Sequence, residues 1–276
     1  MPSRRAYLAT LVAAGLAGCV SETPGTSESP SDSPTATTAP GTASRPDVTV
    51  EAAAVQYAYR HIENVDWNGI QPADGQFVFV TVDAREAGTP PDPGAFSLVA
   101  DGERYDHKDI ADRMPVSLDV PGSTYSAGDE HSEDRGWLAF ETPAELDAEP
   151  SLRMERDSVP ATWELDTETA TAPPPRWEWS ADAPETVEPQ TTFDITITAE
   201  NVGDGAGTFR GAVNFSYPMY MPKGFDVSLD PGASGADTVN AEIRDADPGK
   251  EIEYGVRTPA GETTVHVTVE RATETE

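Results

Sequence analysis

The stretch Phe193-Asp-Ile-Thr-Ile-Thr-Ala199 has apolar side chains at its odd positions and polar side chains at its even positions. Successive side chains of a β-strand point to opposite faces, so this pattern predicts a strand with one face packed inward and the other in solvent. Residues 207–215 and 264–269 repeat the same period. Roughly seven such strands in about 100 residues, with no long amphipathic helix between them, predict an antiparallel β-sandwich.

A second group of strand patterns lies upstream. Residues 76–83 are apolar on both faces for five residues, as is typical of a central strand. Asp101-Gly102 separates two short apolar runs and supplies the positive φ angles of a type I′ turn, which predicts a hairpin over 96–105. Residues 136–141 and 161–165 are further predicted strands.

These patterns predict an all-β chain with two tandem immunoglobulin-like antiparallel β-sandwiches. The first is expected over residues 48–171 and the second over 172–276, because Ala172-Pro-Pro-Pro175 breaks any β-ladder and stiffens the junction.

The composition is strongly acidic. The 276 residues include 49 Asp and Glu against 18 Lys and Arg, a formal net charge of −31. Such a chain repels phosphate backbones, which excludes nucleic-acid binding through a basic patch. Acid-rich surfaces with few lysines resemble those of extreme halophiles, where molar salt shortens the Debye length to ~3 Å and screens the repulsion. The alternative reading, disorder, is opposed by the patterned aromatic and β-branched runs.

The N-terminus predicts export. Residues 1–19 have a charged start, an apolar run over 6–17 and small residues before Cys19, as in a signal peptide. The apolar run is shorter than the ~20 residues that a membrane-spanning helix needs. The segment around Arg4 and Arg5 resembles the twin-arginine export motif.

Leu16-Ala-Gly-Cys19 resembles a lipobox, in which the cysteine is lipidated and becomes the first mature residue. Cys19 is the single cysteine of the chain, so it has no disulfide partner within it. An ordinary signal peptide with a cysteine near its cleavage site is the alternative. Residues 20–47 are rich in Ser, Thr and Pro without apolar periodicity, which predicts a disordered tether.

Residues 184–269 resemble the immunoglobulin-like CARDB-type domains of prokaryotic surface proteins. The resemblance rests on the 193–198 strand, on Glu200-Asn-Val-Gly203, on the turn over 229–234 and on the terminal Val-x-Val-x-Val strand. Residues 48–156 are similar, more loosely, to the ectodomains of small lipoproteins of unknown function, and the whole chain resembles a haloarchaeal cell-surface lipoprotein. Neither family implies catalytic residues.

We find no residue set of a known metal site or catalytic motif in the sequence. A blue-copper site needs a thiolate with two histidines, and Cys19 belongs to the signal boundary. His61, His107, His131 and His266 lack metal-ligand spacing, and His266 is expected on the solvent face of its strand. Gly232-Ala-Ser-Gly235 lacks the last glycine of a nucleophile elbow. We therefore predict no catalytic residue, no metal site and no cofactor.

Three surface features stay open as candidates. Calcium needs only oxygen ligands, and the acidic segments 129–134 and 245–249 offer them, but neither matches an EF-hand loop. Asn214-Phe-Ser216 is a glycosylation sequon, and Asn214 is expected on the outward face of its strand.

The third feature is the stretch 217–222, which is dense in Met and Tyr. Tyr217, Met219, Tyr220 and Met221 form either a contact loop or a plug at one end of the second sandwich.

Together these features predict a non-enzymatic, lipid-anchored protein on the extracellular face of the membrane. Cys19 would anchor it, residues 20–47 would set its reach, and the sandwiches would bind an envelope protein or glycan or act as a spacer. The alternative is an accessory ectodomain of a transporter or envelope-processing complex.

Overall fold

The computed structural model describes residues 47–127, 134–156, 159–215, 221–243 and 246–270. In these residues the chain forms sixteen strands in four sheets, and both sandwiches belong to one compact unit. The predicted fold class, all-β with two tandem immunoglobulin-like antiparallel β-sandwiches, is confirmed. No helix among the described residues has the length and apolar character needed to cross a membrane.

The first sandwich packs a β5-β1-β2-β6 sheet against a β4-β3-β7-β8 sheet. Its strands are β1 Thr49–Asn64, β2 Trp67–Asp83, β3 Phe96–Ala100, β4 Glu103–Asp106, β5 Pro115–Val116, β6 Arg135–Thr142, β7 Ser151–Arg156 and β8 Val159–Glu164. All pairings in these two sheets are antiparallel.

The second sandwich packs a β14-β11-β9 sheet against a β10-β16-β15-β12-β13 sheet. Its strands are β9 Trp177–Asp182, β10 Thr186–Val187, β11 Thr192–Asn201, β12 Gly207–Phe215, β13 Lys223–Leu229, β14 Ser234–Glu242, β15 Glu251–Thr258 and β16 Gly261–Val269. Its short β10 pairs parallel to β16, and its other pairings are antiparallel.

Strand β2 is central, as its sequence predicts. It lies between β1 and β6, and Val78, Val80 and Val82 face the core between the two sheets of the first sandwich. Phe77 and Phe79 face the other way, into a smaller cluster with Tyr59 and Trp137. Both faces of β2 are therefore apolar because each packs against its own hydrophobic cluster. The strand begins nine residues before its predicted start.

Two predicted turns are confirmed by backbone angles. Asp101 and Gly102, with φ of 55° and 79°, close the β3–β4 hairpin as a type I′ turn requires. Gly232 has a φ of 72° between β13 and β14, in the predicted turn over 229–234.

Strands β11 and β12 both alternate as predicted, but only β11 has an outer face in solvent. Phe193, Ile195 and Ile197 of β11 point into the core, and Asp194 and Thr198 are exposed. The solvent exposure predicted for the outer face of β12 is wrong, because every residue from Phe209 to Phe215 is buried. Its outer face is covered by the first sandwich.

The cover comes from the β1–β2 hairpin, whose strands of 16 and 17 residues are the two longest in the described chain. We call residues 60–71, around its turn, the arm. The arm lies across the outer face of β12, β13 and β15 and contacts each of these strands.

Candidate functional site

The arm is held on the second sandwich by Arg60. Its Nη1 donates to the Phe225 carbonyl oxygen at 2.8 Å, and Nη1 and Nη2 each donate to Oδ2 of Asp226 at 3.0 Å. A Cβ on Gly224 would lie 2.5 Å from Cζ of Arg60, so the absence of a side chain there lets the guanidinium approach the β13 backbone.

Arg210 of β12 continues this row of charges. Its side chain is 7% exposed, and its Nη2 contacts the Asp119 carboxylate of the first sandwich. Its Nη1 donates to the Ser117 carbonyl oxygen at 2.9 Å and to Oδ1 of Asp226 at 3.4 Å. Asp119, Arg210, Asp226 and Arg60 thus alternate in sign across the interface. Their pairing offsets the repulsion that two acidic bodies would otherwise feel.

A reciprocal pair joins Asn214 of β12 to Asn68 of the arm. The backbone nitrogen of Asn68 donates to Oδ1 of Asn214 at 2.9 Å, and Nδ2 of Asn214 donates to the Asn68 carbonyl oxygen at 3.1 Å. Asn214 is 0% exposed. The expectation that Asn214 faces solvent is therefore wrong: it points away from its own core, but the arm covers it.

We expect Asn214 to carry no glycan in the mature protein. Nδ2, the atom that would be modified, is used in the contact with Asn68, and a buried site leaves no room for a sugar. Peptide mapping by mass spectrometry checks this, with Asn214→Gln as the mass control. A glycopeptide containing Asn214 would show that the interface is open when the sugar is added.

The end of the arm is fixed by Trp67. Its ring lies 3.7 Å from the position of a Cβ on Gly255, and the Arg257 guanidinium lies over it, 5.2 Å from the ring centre. Nη1 of Arg257 also donates to Oε2 of Glu63 at 2.9 Å. A cation over an aromatic face and an ion pair together hold the turn of the arm in one position.

Beyond Trp67, an apolar groove of about 800 Å³ opens at the turn of the arm. Ile62, Val65, Met114, Val116 and Pro222 line it. The described residues include three exposed large hydrophobic side chains: Val65 at 89%, Met114 at 52% and Met221 at 58%. Two of them line this groove, and Met221 directly precedes Pro222.

Backbone geometry holds one of these side chains out. Met114 has a φ of 47°, a left-handed conformation that is uncommon for a residue with a side chain. Its carbonyl oxygen accepts from the Ile62 nitrogen at 3.2 Å, which ties it to the arm. Strained positions of this kind are concentrated at functional sites.

The predicted contact loop is described in part. Tyr217, Met219 and Tyr220 lie outside the described residues, whereas Met221 is described and is exposed rather than packed into the sandwich. Sequence reasoning missed Val65 and Met114. An apolar Val65 between the polar turn residues Asn64 and Asp66 was a signal that could have found the first of them.

The other predicted positions are distributed over the chain. Arg4, Arg5, Cys19 and residues 20–46 lie outside the described residues, as do the calcium candidates 129–133 and 245. His131 also lies outside them.

Two other histidines are buried or half-buried. Burial lowers the pKa of the His61 imidazole, and burial also lowers the pKa of His107.

His266 is exposed on the solvent face of β16, as predicted. There it lies beside two glutamates, with Nδ1 at 3.2 Å from Oε1 of Glu251 and 3.9 Å from Oε1 of Glu253. Sequence spacing did not reveal this group, because its members come from two different strands.

A second cavity, of about 320 Å³ and with a mixed polar and apolar lining, lies elsewhere along the interface. Gln56, Tyr57 and Asp119 line it from the first sandwich, and Thr208 and Arg210 line it from the second. The Tyr57 hydroxyl is buried without a hydrogen-bond partner, and burial raises its pKa. The described residues that line the cavity include neither histidine nor cysteine.

No family model matches this chain, and no curated protein matches it. Among solved structures, it is similar to a β-glucosidase from Listeria innocua at 15% identity and a TM-score of 0.29, over 35% of this chain and 16% of that one. A CARDB domain from Pyrococcus furiosus, solved in complex with di-metal ions, matches at 15% identity and a TM-score of 0.30, over 35% of this chain and 94% of the domain.

A third similar structure is the DNA glycosylase AlkC from Pseudomonas fluorescens, bound to DNA with an abasic site analog. It matches at 14% identity and a TM-score of 0.27, over 34% of this chain and 30% of that one. The matched parts are thus a small share of both enzymes. Likenesses of this size say nothing about activity. The architecture itself defines the class: an all-β protein of two immunoglobulin-like sandwiches, in which a long hairpin arm of the first packs on the second.

Proposed function

We propose that this chain is a non-enzymatic, lipid-anchored cell-surface protein that binds another envelope protein through the groove at the end of the arm. The observation that carries the proposal is that two of the three exposed large hydrophobic side chains in the described residues, Val65 and Met114, line one groove. The lipobox at Cys19 supports the anchor, and the tether over 20–47 supplies the reach.

The groove stands out against the composition of the chain. The chain has a net charge of −31, and its described residues expose only three large hydrophobic side chains. Large exposed apolar side chains that gather at one place on such a protein mark a site of interaction with another molecule. Met is also enriched at interface cores, where its flexible side chain adapts to a partner.

The chemistry around the groove favours a protein partner. Apolar side chains need an apolar counterpart, which a nucleic acid backbone does not offer. Asp66 follows Val65 and adds negative charge beside the groove, whereas the carboxylate of Glu63 is paired with Arg257. The partner should therefore insert apolar side chains and surround them with basic ones, because complementary charges speed association.

The interface between the sandwiches supports binding by keeping the groove in one shape. Arg60, Trp67 and Asn68 fix the arm on the second sandwich, so the side chains at its turn lose little freedom when a partner binds. A preformed site of this kind binds more tightly than a mobile one of equal area.

We expect a photo-crosslinking amino acid at Val65 to capture one dominant protein on intact cells in their native salt. The same amino acid at Glu103, an exposed residue of β4, is the matched control and should capture much less of it. Mass spectrometry identifies the captured proteins. In a Cys19→Ser chain, which cannot be lipidated, the capture should fall as well.

A second variant separates binding from folding. Val65→Ser combined with Met221→Ser should reduce capture at a crosslinker placed on Asp66, with little change in the melting temperature, because exposed side chains contribute little to stability. Equal capture at Val65 and Glu103, or a diffuse mixture of proteins and glycans at both, would contradict the groove and favour a spacer. Capture of one transporter component in a one-to-one ratio would identify the partner. This chain would then be an accessory ectodomain of that transporter.

A further inference from the structure

We propose that Glu251, Glu253 and His266 form a binding site for a divalent transition-metal ion of the Zn²⁺ type on the solvent face of β15 and β16. This site is separate from the groove, and it does not depend on the proposed function. It also revises the prediction that the chain has no metal site.

The strand register brings the three side chains together. Glu253 lies directly opposite His266 in the β15–β16 ladder, and Glu251 lies two residues earlier on the same face of β15. The three ligand atoms all lie within 4.8 Å of one another. The three ligands thus come from neighbouring positions on two strands. Their spacing in the sequence does not reveal this set.

The distances suit a small metal ion. With metal–ligand bonds of ~2.05 Å, two ligands of a tetrahedral zinc site lie ~3.3 Å apart. Nδ1 of His266 is 3.2 Å from Oε1 of Glu251 and 3.9 Å from Oε1 of Glu253. The first distance already fits, and a small side-chain rotation of Glu253 would bring the second into range.

The types of ligand atom determine which metal ions the site binds best. An imidazole nitrogen with two carboxylates suits Zn²⁺ and similar ions, whereas Ca²⁺ and Mg²⁺ prefer oxygen ligands throughout. Three protein ligands leave a position for water.

The backbone beneath the three ligands is rigid. Ile252 and Tyr254 of β15 and Val267 of β16, which point the opposite way, are all buried in the core of the second sandwich. Glu251 and Glu253 pair with Thr268 and His266 of β16, and β15 also pairs with β12 from Tyr254 to Arg257. Ligands on such a strand need no rearrangement of the main chain to bind a metal, which lowers the entropy lost on binding.

The test is a calorimetric titration of the full chain with Zn²⁺ at high and constant ionic strength. The chain carries Cys19→Ser so that its single thiol cannot bind the metal. We expect one Zn²⁺ per chain, no measurable binding at that site in His266→Ala, and affinity lower by more than about tenfold in Glu251→Gln and in Glu253→Gln. Glu178→Gln, at an exposed glutamate of β9, is the matched control and should bind as the parent does.

A nuclear magnetic resonance titration gives a second readout, in which the His266 imidazole signals shift in step with the first equivalent of Zn²⁺. Unchanged binding in His266→Ala would overturn the site, provided that the variant melts at the temperature of the parent. Graded uptake that an equal concentration of Mg²⁺ removes would also overturn it, because that behaviour belongs to a generally acidic surface.

Discussion

The free energy of unfolding is expected to fall by about 2–3 kcal/mol when Arg210 is replaced by alanine. The guanidinium is nearly buried and contacts the carboxylates of Asp119 and Asp226 together with the Ser117 carbonyl oxygen. Its removal leaves these acceptors around a gap in the interface. The carboxylates are 46% and 40% exposed, so water can partly replace the lost donors, and the cost stays below that of a fully buried pair.

A double-mutant cycle with Asp119→Asn measures how much of this loss belongs to the contact across the interface. We expect a coupling free energy of about 1–2 kcal/mol from urea unfolding of the four proteins. Arg210→Lys is the matched variant: it keeps the charge but loses the fork of donors, and it should recover less than half of the loss. A change within about 0.5 kcal/mol in Arg210→Ala would mean that the arm is held without this row of charges.

Asn201→Ala is expected to lower the free energy of unfolding by about 3–4 kcal/mol. Asn201 is fully buried at the end of β11. Its Nδ2 donates to the carbonyl oxygens of Gly205 at 2.8 Å and Leu229 at 3.2 Å, and its Oδ1 accepts from the nitrogens of Gly203 at 3.0 Å and Arg176 at 3.3 Å. Four backbone groups thus depend on one amide, and alanine replaces none of these bonds.

The loss should disturb the junction as well as the turn after β11. Arg176 follows the proline linker, and a Cβ on Gly205 would lie 1.6 Å from the Pro173 carbonyl oxygen, so linker and turn are in close contact. Fluorescence of Trp177 and Trp179, whose rings lie 5.4 and 6.1 Å from that of Phe209, reports unfolding of the second sandwich.

Asn201→Asp is the control for these bonds. Its carboxylate can accept but cannot donate, and it buries a charge, so we expect it to be at least as unstable as Asn201→Ala. A loss below about 1 kcal/mol in the alanine variant would show that water or the chain itself can satisfy the four groups.

The strands were largely predictable because their patterns are local. Alternation over 193–199 gives the inward face of β11, and Asp101-Gly102 encodes a turn that depends on two residues only. Which residues cover the outer face of a strand depends instead on contacts with distant parts of the chain. The contacts of Arg210 with Asp119 and of Arg60 with Asp226 join residues 91 and 166 positions apart, and an alternating pattern carries no information about such partners.

The misplacement of Asn214 shows this limit. The pattern correctly separates it from the core residues Val213 and Phe215, but a polar side chain that faces away from its own core can still face another domain. The group of Glu251, Glu253 and His266 was missed for a related reason, because it depends on the register between β15 and β16. Exposure of His266 was predictable, and its neighbours were not.

The length of β1 has a mechanical consequence. This one strand runs from Thr49, just after the tether segment, to Asn64 beside the groove, and its 16 residues extend over roughly 50 Å. If the chain is anchored at Cys19 and bound at the groove as proposed, a pulling force between the two would act along the strand axis. Because both points of attachment lie at the two ends of one strand, the covalent backbone of β1 would carry the force, and the hydrogen bonds to β2 would not have to break.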